Sequence, residues 1–167
     1  MEQKANKSAM QNGLIAGALI SISFLLSASK IAILSSFTIL ISIGIVYFMF
    51  WATKRFRDTE NAGFLSFGQA FSYVFRVYIY GALIGALVML AYASINDKFL
   101  GLMLNDTLML YDKMNIPIDE SVYDVLEMLL KPAPYALVNL LGKCIVGLFW
   151  GLVLAAFLKK EKSIFEE

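Results

Sequence analysis

Four apolar runs restrict what this chain can fold into. Residues 13–29, 31–52 and 77–95 contain no charge, and residues 135–158 contain a single one, Lys143. A helix rises 1.5 Å per residue, so about 20 such residues cross the roughly 30 Å hydrocarbon core of a bilayer. A water-soluble domain of 167 residues could not bury runs of this length side by side. Composition agrees: 59% of residues are apolar and 16% charged, against about 45–50% and 25% in soluble domains. The expected fold is therefore all-α, an integral membrane bundle of four transmembrane helices near residues 10–29, 31–52, 69–95 and 135–158. An amphipathic helical segment, 96–134, lies between helices three and four, and residues 1–167 form a single membrane domain.

The first run is the shortest. Two lysines, an apolar stretch and Ser27-Ala28-Ser29 also fit the three regions of a signal peptide. The run is long for that role, and Gly13 and Gly17 suit a packed helix better. Lys30 is the sole charge between the first two runs, so Ser29-Lys30 is expected at a tight turn of a helical hairpin. One continuous helix would instead leave Lys30 in lipid, at about 2.5–3.5 kcal/mol. Residues 53–68, with Lys54, Arg55, Arg57, Asp58 and Glu60, read as a polar loop. Helix three then runs from Phe67 to Ile95.

Residues 96–134 carry seven acidic and three basic side chains. Val122, Val125, Leu126, Leu129 and Leu130 recur at the spacing of one helical face. Asp119 and Glu120 open this helix on its positive dipole end, and Pro132 and Pro134 stop it. An earlier helix, near residues 98–114, is apolar on more than one side and suits a membrane surface. Asn115 and Pro117 separate the two.

An even number of spans puts both termini on the side of the 53–68 segment. That side collects Lys4, Lys7, Lys54, Arg55, Arg57, Lys159, Lys160 and Lys162; the other has Lys30, Lys98, Lys113 and Lys131. The positive-inside rule places the first set in the cytoplasm and residues 96–134 outside it.

Within the spans, three glycine pairs are spaced i, i+4: Gly13 and Gly17, Gly81 and Gly85, Gly147 and Gly151. Such faces let backbones approach closely, within one bundle or between copies. Three polar residues are candidates for a site. Arg76 either reaches back to the headgroups or meets an ion-pair partner or ligand. Lys143, with Asn139 one turn earlier, either snorkels or forms a polar site facing an anionic group or another helix.

There is no histidine, no metal-ligand spacing, no phosphate-binding glycine loop and no nucleophile elbow. No catalytic residue, metal or cofactor is expected. A net charge of +1 and the lack of a basic patch interleaved with aromatics argue against nucleic acid. The single cysteine, Cys144, has no internal disulfide partner. The partners to expect are the lipid bilayer and a membrane protein or a second copy.

The stretch Leu65-Ser66-Phe67-Gly68-Gln69-Ala70-Phe71 opening helix three, then Asn96-Asp97-Lys98-Phe99-Leu100, then Lys131-Pro132 before helix four, resembles the bacterial membrane proteins grouped as domain-of-unknown-function family 4199. The resemblance spans nearly the whole chain. It implies four helices in the bacterial inner membrane, and no activity or site residue comes with it. The reading that follows is a non-enzymatic protein acting by association; the alternative is a small transporter or channel component using Arg76, Asn139 and Lys143.

Overall fold

A computed structural model describes residues 2–161. Among them are six α-helices and no strand: α1 (Glu2–Ala28), α2 (Ala32–Arg55), α3 (Phe67–Ile95), α4 (Asp97–Lys113), α5 (Glu120–Leu129) and α6 (Pro132–Leu158). A π-helical turn, Phe56–Glu60, prolongs α2. Four helices are long and apolar enough to cross a membrane: α1, α2 with its π turn, α3 and α6. The chain divides into two compact units, Met1–Gly85 with Gly142–Glu167, and Ala86–Leu141.

In the first unit, α1 and α2 pack as a hairpin. The hairpin turns at Lys30, whose φ of 55° lies in the left-handed region; the Lys30 N–H closes the turn on Ser27 O. Two segments are more helical than their polarity suggests. Helix α1 starts at Glu2, so Lys4 and Lys7 are helical. The expected polar loop 53–68 is helical as far as Glu60, and the chain turns at Ala62 and Gly63, both at positive φ. Hydropathy marks the part of a helix that suits lipid; backbone hydrogen bonding carries the helix further into water.

The core of this unit holds Met49, Leu65, Tyr73, Val74, Val77 and Leu158, each at most 2% exposed. The Phe56 and Tyr73 rings stack, with centroids 4.3 Å apart. Outward-facing residues are apolar too. On α2, Ile33, Ile39, Leu40, Ile43 and Tyr47 are all more than 60% exposed. An apolar surface of that extent suits lipid contact better than water.

The beginning of α1, the π turn, the beginning of α3 and the residues after α6 come together at one end of this unit. Leu65 and Lys160 exchange both backbone hydrogen bonds at 2.8 Å. Arg57 donates to Leu158 O at 3.2 Å, a cation on the carbonyl end of α6. Lys162, counted among the basic residues of this end, falls outside the described residues.

In the second unit, Phe99 of α4 is buried between Tyr92 and Tyr135, edge-on to both rings, at 5.1 and 5.8 Å. Asn115 ends α4 at φ 54°. Its N–H reaches Asp112 O, and the Ile116 N–H reaches Tyr111 O. This is a Schellman closure, with asparagine in the place usually taken by glycine. Asp119 caps α5: its Oδ1 accepts from Val122 N and from the Ser121 hydroxyl, each at 2.8 Å. None of the α5 residues is buried.

The cap makes α5 pH-sensitive. The Val122 N–H and the Ser121 hydroxyl hold the Asp119 carboxyl below the usual carboxylate range. A group whose pKa is depressed by folding stabilises above its unfolded pKa, about 3.9, and loses that contribution as pH falls through the folded value. Helix α5 is expected to fray below about pH 4. Amide protection factors at Ser121 and Val122 should fall there, and Asp119→Ala should show the same low protection already at pH 7.

Candidate functional site

The polar chemistry of the first unit concentrates where α1, the π turn and α3 meet. Tyr73 is 2% exposed, and its hydroxyl accepts from Asn12 Nδ2 at 3.0 Å. The Ser8 hydroxyl lies 3.0 Å from the same oxygen and donates to Glu60 Oε1 at 3.1 Å. A serine has one hydroxyl hydrogen. Because Ser8 spends it on Glu60, Tyr73 must be the donor to Ser8. The result is a directional chain, Tyr73 to Ser8 to Glu60, running from the core to the surface. Two residues before Ser8 on α1, Asn6 Oδ1 accepts from the Tyr80 hydroxyl at 2.7 Å. Sequence reading missed this network. Its available signal was Ser8 and Asn12 at i, i+4, which places two polar side chains on one face of a helix at the polar start of the chain.

The start of α3 is set by a reciprocal capping box. Ser66 Oγ accepts from Gln69 N at 3.3 Å, while Gln69 Oε1 accepts from Ser66 N at 3.1 Å. This gives a physical role to part of the Leu65–Phe71 stretch. Ala70 is fully buried, and Phe71 lies 3.1 Å from where a Cβ on Gly151 would stand. Gly68 is different, because a Cβ there would meet nothing within 4 Å.

Gly68 lines a cavity of about 330 Å³ together with Glu2, Phe56, Gln69, Ser72 and Arg76. Arg76, about a third exposed, has one ion pair among the described residues: Nη2 to Glu2 Oε1 at 3.6 Å. That is too long for a hydrogen bond.

The glycine pairs sit at helix contacts inside this unit. Gly13 faces Tyr80, Gly17 faces Ile84, Gly81 faces Ala16 and Gly85 faces Ile20, joining α1 to α3. Gly147 faces Tyr78 and Gly151 faces Phe71, joining α6 to α3. Lys143 lies on α6 at the edge of its buried stripe, half-buried. It has neither a hydrogen bond nor an ion pair with any described residue. In the second unit, Asn139 Nδ2 donates to Tyr135 O at 2.9 Å, so its amide is held by its own helix.

Among the described residues no group of three or more His, Cys, Asp or Glu side chains could hold a metal ion. Comparison with curated proteins and with solved structures finds no match to either. A family model described as a protein of unknown function, DUF4199, matches residues 11–160. With nearly its whole length covered, this chain of four long apolar helices belongs to the DUF4199 family.

Proposed function

We propose that this protein works by association within the membrane, without catalysis, and that the face of α6 carrying Lys143 receives a partner helix bearing a carboxylate. The observation that carries this reading is the isolation of Lys143. Helix α6 has 27 residues and is about 40 Å long, roughly 10 Å more than a hydrocarbon core needs. Lys143 lies eleven residues, about 16 Å, beyond Pro132. With about 5 Å of helix protruding at each end, its Cα sits about 11 Å inside the core. A lysine stem spans about 6 Å, which does not reach the headgroups. A charge at that depth costs about 2.5–3.5 kcal/mol unless it finds a counter-charge. No span of this chain offers a carboxylate in its core. A second copy would bring only another Lys143 to the same face, so charge favours a different membrane protein over self-association there.

The resemblance to bacterial inner-membrane proteins and the eight-to-four basic asymmetry support the same setting. Both termini lie in the cytoplasm of a bacterial cell and the acidic 96–134 segment lies outside it.

The test has two arms. In the isolated protein in micelles, Lys143→Met should raise thermal stability, because it removes an unpaired buried charge. In cells, crosslinking from a photoreactive residue at position 146 should trap a defined hetero-complex in wild type. Lys143→Met and Lys143→Glu should lose it, and a carboxylate-to-lysine change in the partner should restore it with Lys143→Glu. A complex indifferent to both substitutions, or a crosslink to a second copy alone, would overturn the proposal.

A further inference from the structure

The cavity at the Arg76 end of the first unit carries one charge of each sign, and neither is hydrogen-bonded to a described residue. Arg76 has five N–H donors, and its one ionic contact among the described residues is the 3.6 Å approach to Glu2. The Glu2 carboxylate is 89% exposed and accepts no hydrogen bond from a described residue. A guanidinium and a carboxylate that bond directly close to about 2.7–2.9 Å. Here the two stand 3.6 Å apart, and both line a space of about 330 Å³. The wall adds further donors: the Ser72 hydroxyl, and the Gln69 Nε2, whose companion Oε1 is already taken by Ser66 N–H. The floor is the stacked Phe56–Tyr73 pair.

Gly68 supplies an independent observation. It stands in the first turn of α3, between the two residues of the capping box. No neighbour packs on Gly68, since a Cβ there would meet nothing within 4 Å. Gly68 is exposed and lines the cavity, so a larger side chain there has room to enter it.

We infer that this cavity binds a zwitterion bearing a phosphate and a primary ammonium, the phosphate on Arg76 with Ser72 and Gln69 and the ammonium on Glu2. The guanidinium fork matches phosphate oxygens, and the carboxylate accepts N–H bonds from an ammonium. The cavity lies along the first turns of α3, before the uncharged run that begins at Val77. This is the headgroup level of a spanning helix, so an ethanolamine phospholipid is the natural source. Free phosphoethanolamine offers the same chemistry. The inference is independent of the role proposed for Lys143.

The experiment is thermal unfolding of the purified protein in micelles with equal additions of phosphatidylethanolamine, phosphatidylcholine, phosphatidylglycerol or free O-phosphoethanolamine. The ethanolamine lipid should raise Tm by several degrees more than the choline lipid, whose quaternary nitrogen has no N–H, and more than the glycerol lipid, which lacks a cation. A comparable rise with free phosphoethanolamine would assign the site to a soluble zwitterion; its absence would assign it to the lipid. Arg76→Gln should abolish the rise. Gly68→Leu should also abolish it while leaving the lipid-free Tm near wild type, because the new side chain enters open space. Glu2→Gln should erase the ethanolamine-over-choline preference and keep a response to phosphate. Equal shifts from all three lipids, or a preference that survives Gly68→Leu, would overturn the inference.

Discussion

Replacing Gly13 by alanine is expected to cost about 1–3 kcal/mol of stability, the range for forcing atoms into a closely packed contact. A Cβ at Gly13 would stand 2.5 Å from the Tyr80 Cβ and 3.3 Å from the Val77 carbonyl oxygen. Neither obstacle is the loose end of a side chain. The Tyr80 Cβ moves only with the backbone of α3, and the far end of the ring is tied to Asn6 by a 2.7 Å hydrogen bond. Helix α1 must therefore move away from α3, which would also strain the Ala16–Gly81 contact one turn further along. Gly85→Ala should cost less, because its nearest obstacle, at 2.5 Å, is the Ile20 Cγ2, which a rotamer change can withdraw. Gly44 is the control. A Cβ there meets nothing within 4 Å, so Gly44→Ala should stabilise α2 by about 0.5–1 kcal/mol through helix propensity. Thermal unfolding of the three variants in one detergent gives the ranking. Equal effects at Gly13 and Gly44 would mean that the α1–α3 contact yields without cost.

The same contacts show which parts of the fold were legible in the sequence. Glycines spaced i, i+4 announce a face that another helix can approach, and the apolar runs announce length. Both signals are local: α3 ends at Ile95, where its uncharged run ends, but starts at Phe67, ten residues before that run begins. Which helix meets which glycine is long-range information. Nothing in Gly147 or Gly151 says that Tyr78 and Phe71 of α3 will cover them. The limits of α1 were hidden for another reason. Lys4, Lys7 and Asn12 look like a solvated tail by hydropathy, yet Asn12 bonds both Ser8 O and the Tyr73 hydroxyl. Polarity there signalled a network between helices.

The cavity was still harder to read. Arg76 is visible in the sequence as a charge near the start of a long apolar helix, and depth alone does not say what it meets. Glu2 gave no such signal, because one acidic residue near a chain end is ordinary. They share a site because α1 is helical from its second residue, which brings Glu2 beside the third turn of α3. Lys143 is the converse case. Its depth in the helix follows from counting residues, and the structure adds that no described residue answers its charge.

Tyr73→Phe is expected to lower stability by about 1–3 kcal/mol, the cost of leaving buried polar groups short of a partner. Phenylalanine keeps the ring and its 4.3 Å stack on Phe56, so the change isolates the hydroxyl. Without it, the Ser8 oxygen loses its donor, and one Asn12 N–H loses its acceptor, in a region where Tyr73 is 2% exposed and Ser8 8%. Ser8→Ala removes the middle of the chain and strands Tyr73 and Glu60 instead. If the three groups act as one unit, the double variant should cost less than the sum of the singles, with a coupling of about 0.5–3 kcal/mol. Additive effects would mean that each hydrogen bond stands alone. A strong coupling would make this network the element that fixes α1 against the π turn. It would then also fix the distance between Glu2 and Arg76, because Tyr73 is both the hub of the network and part of the cavity floor. In that case Tyr73→Phe should weaken the discrimination between ethanolamine and choline headgroups without touching either charged residue.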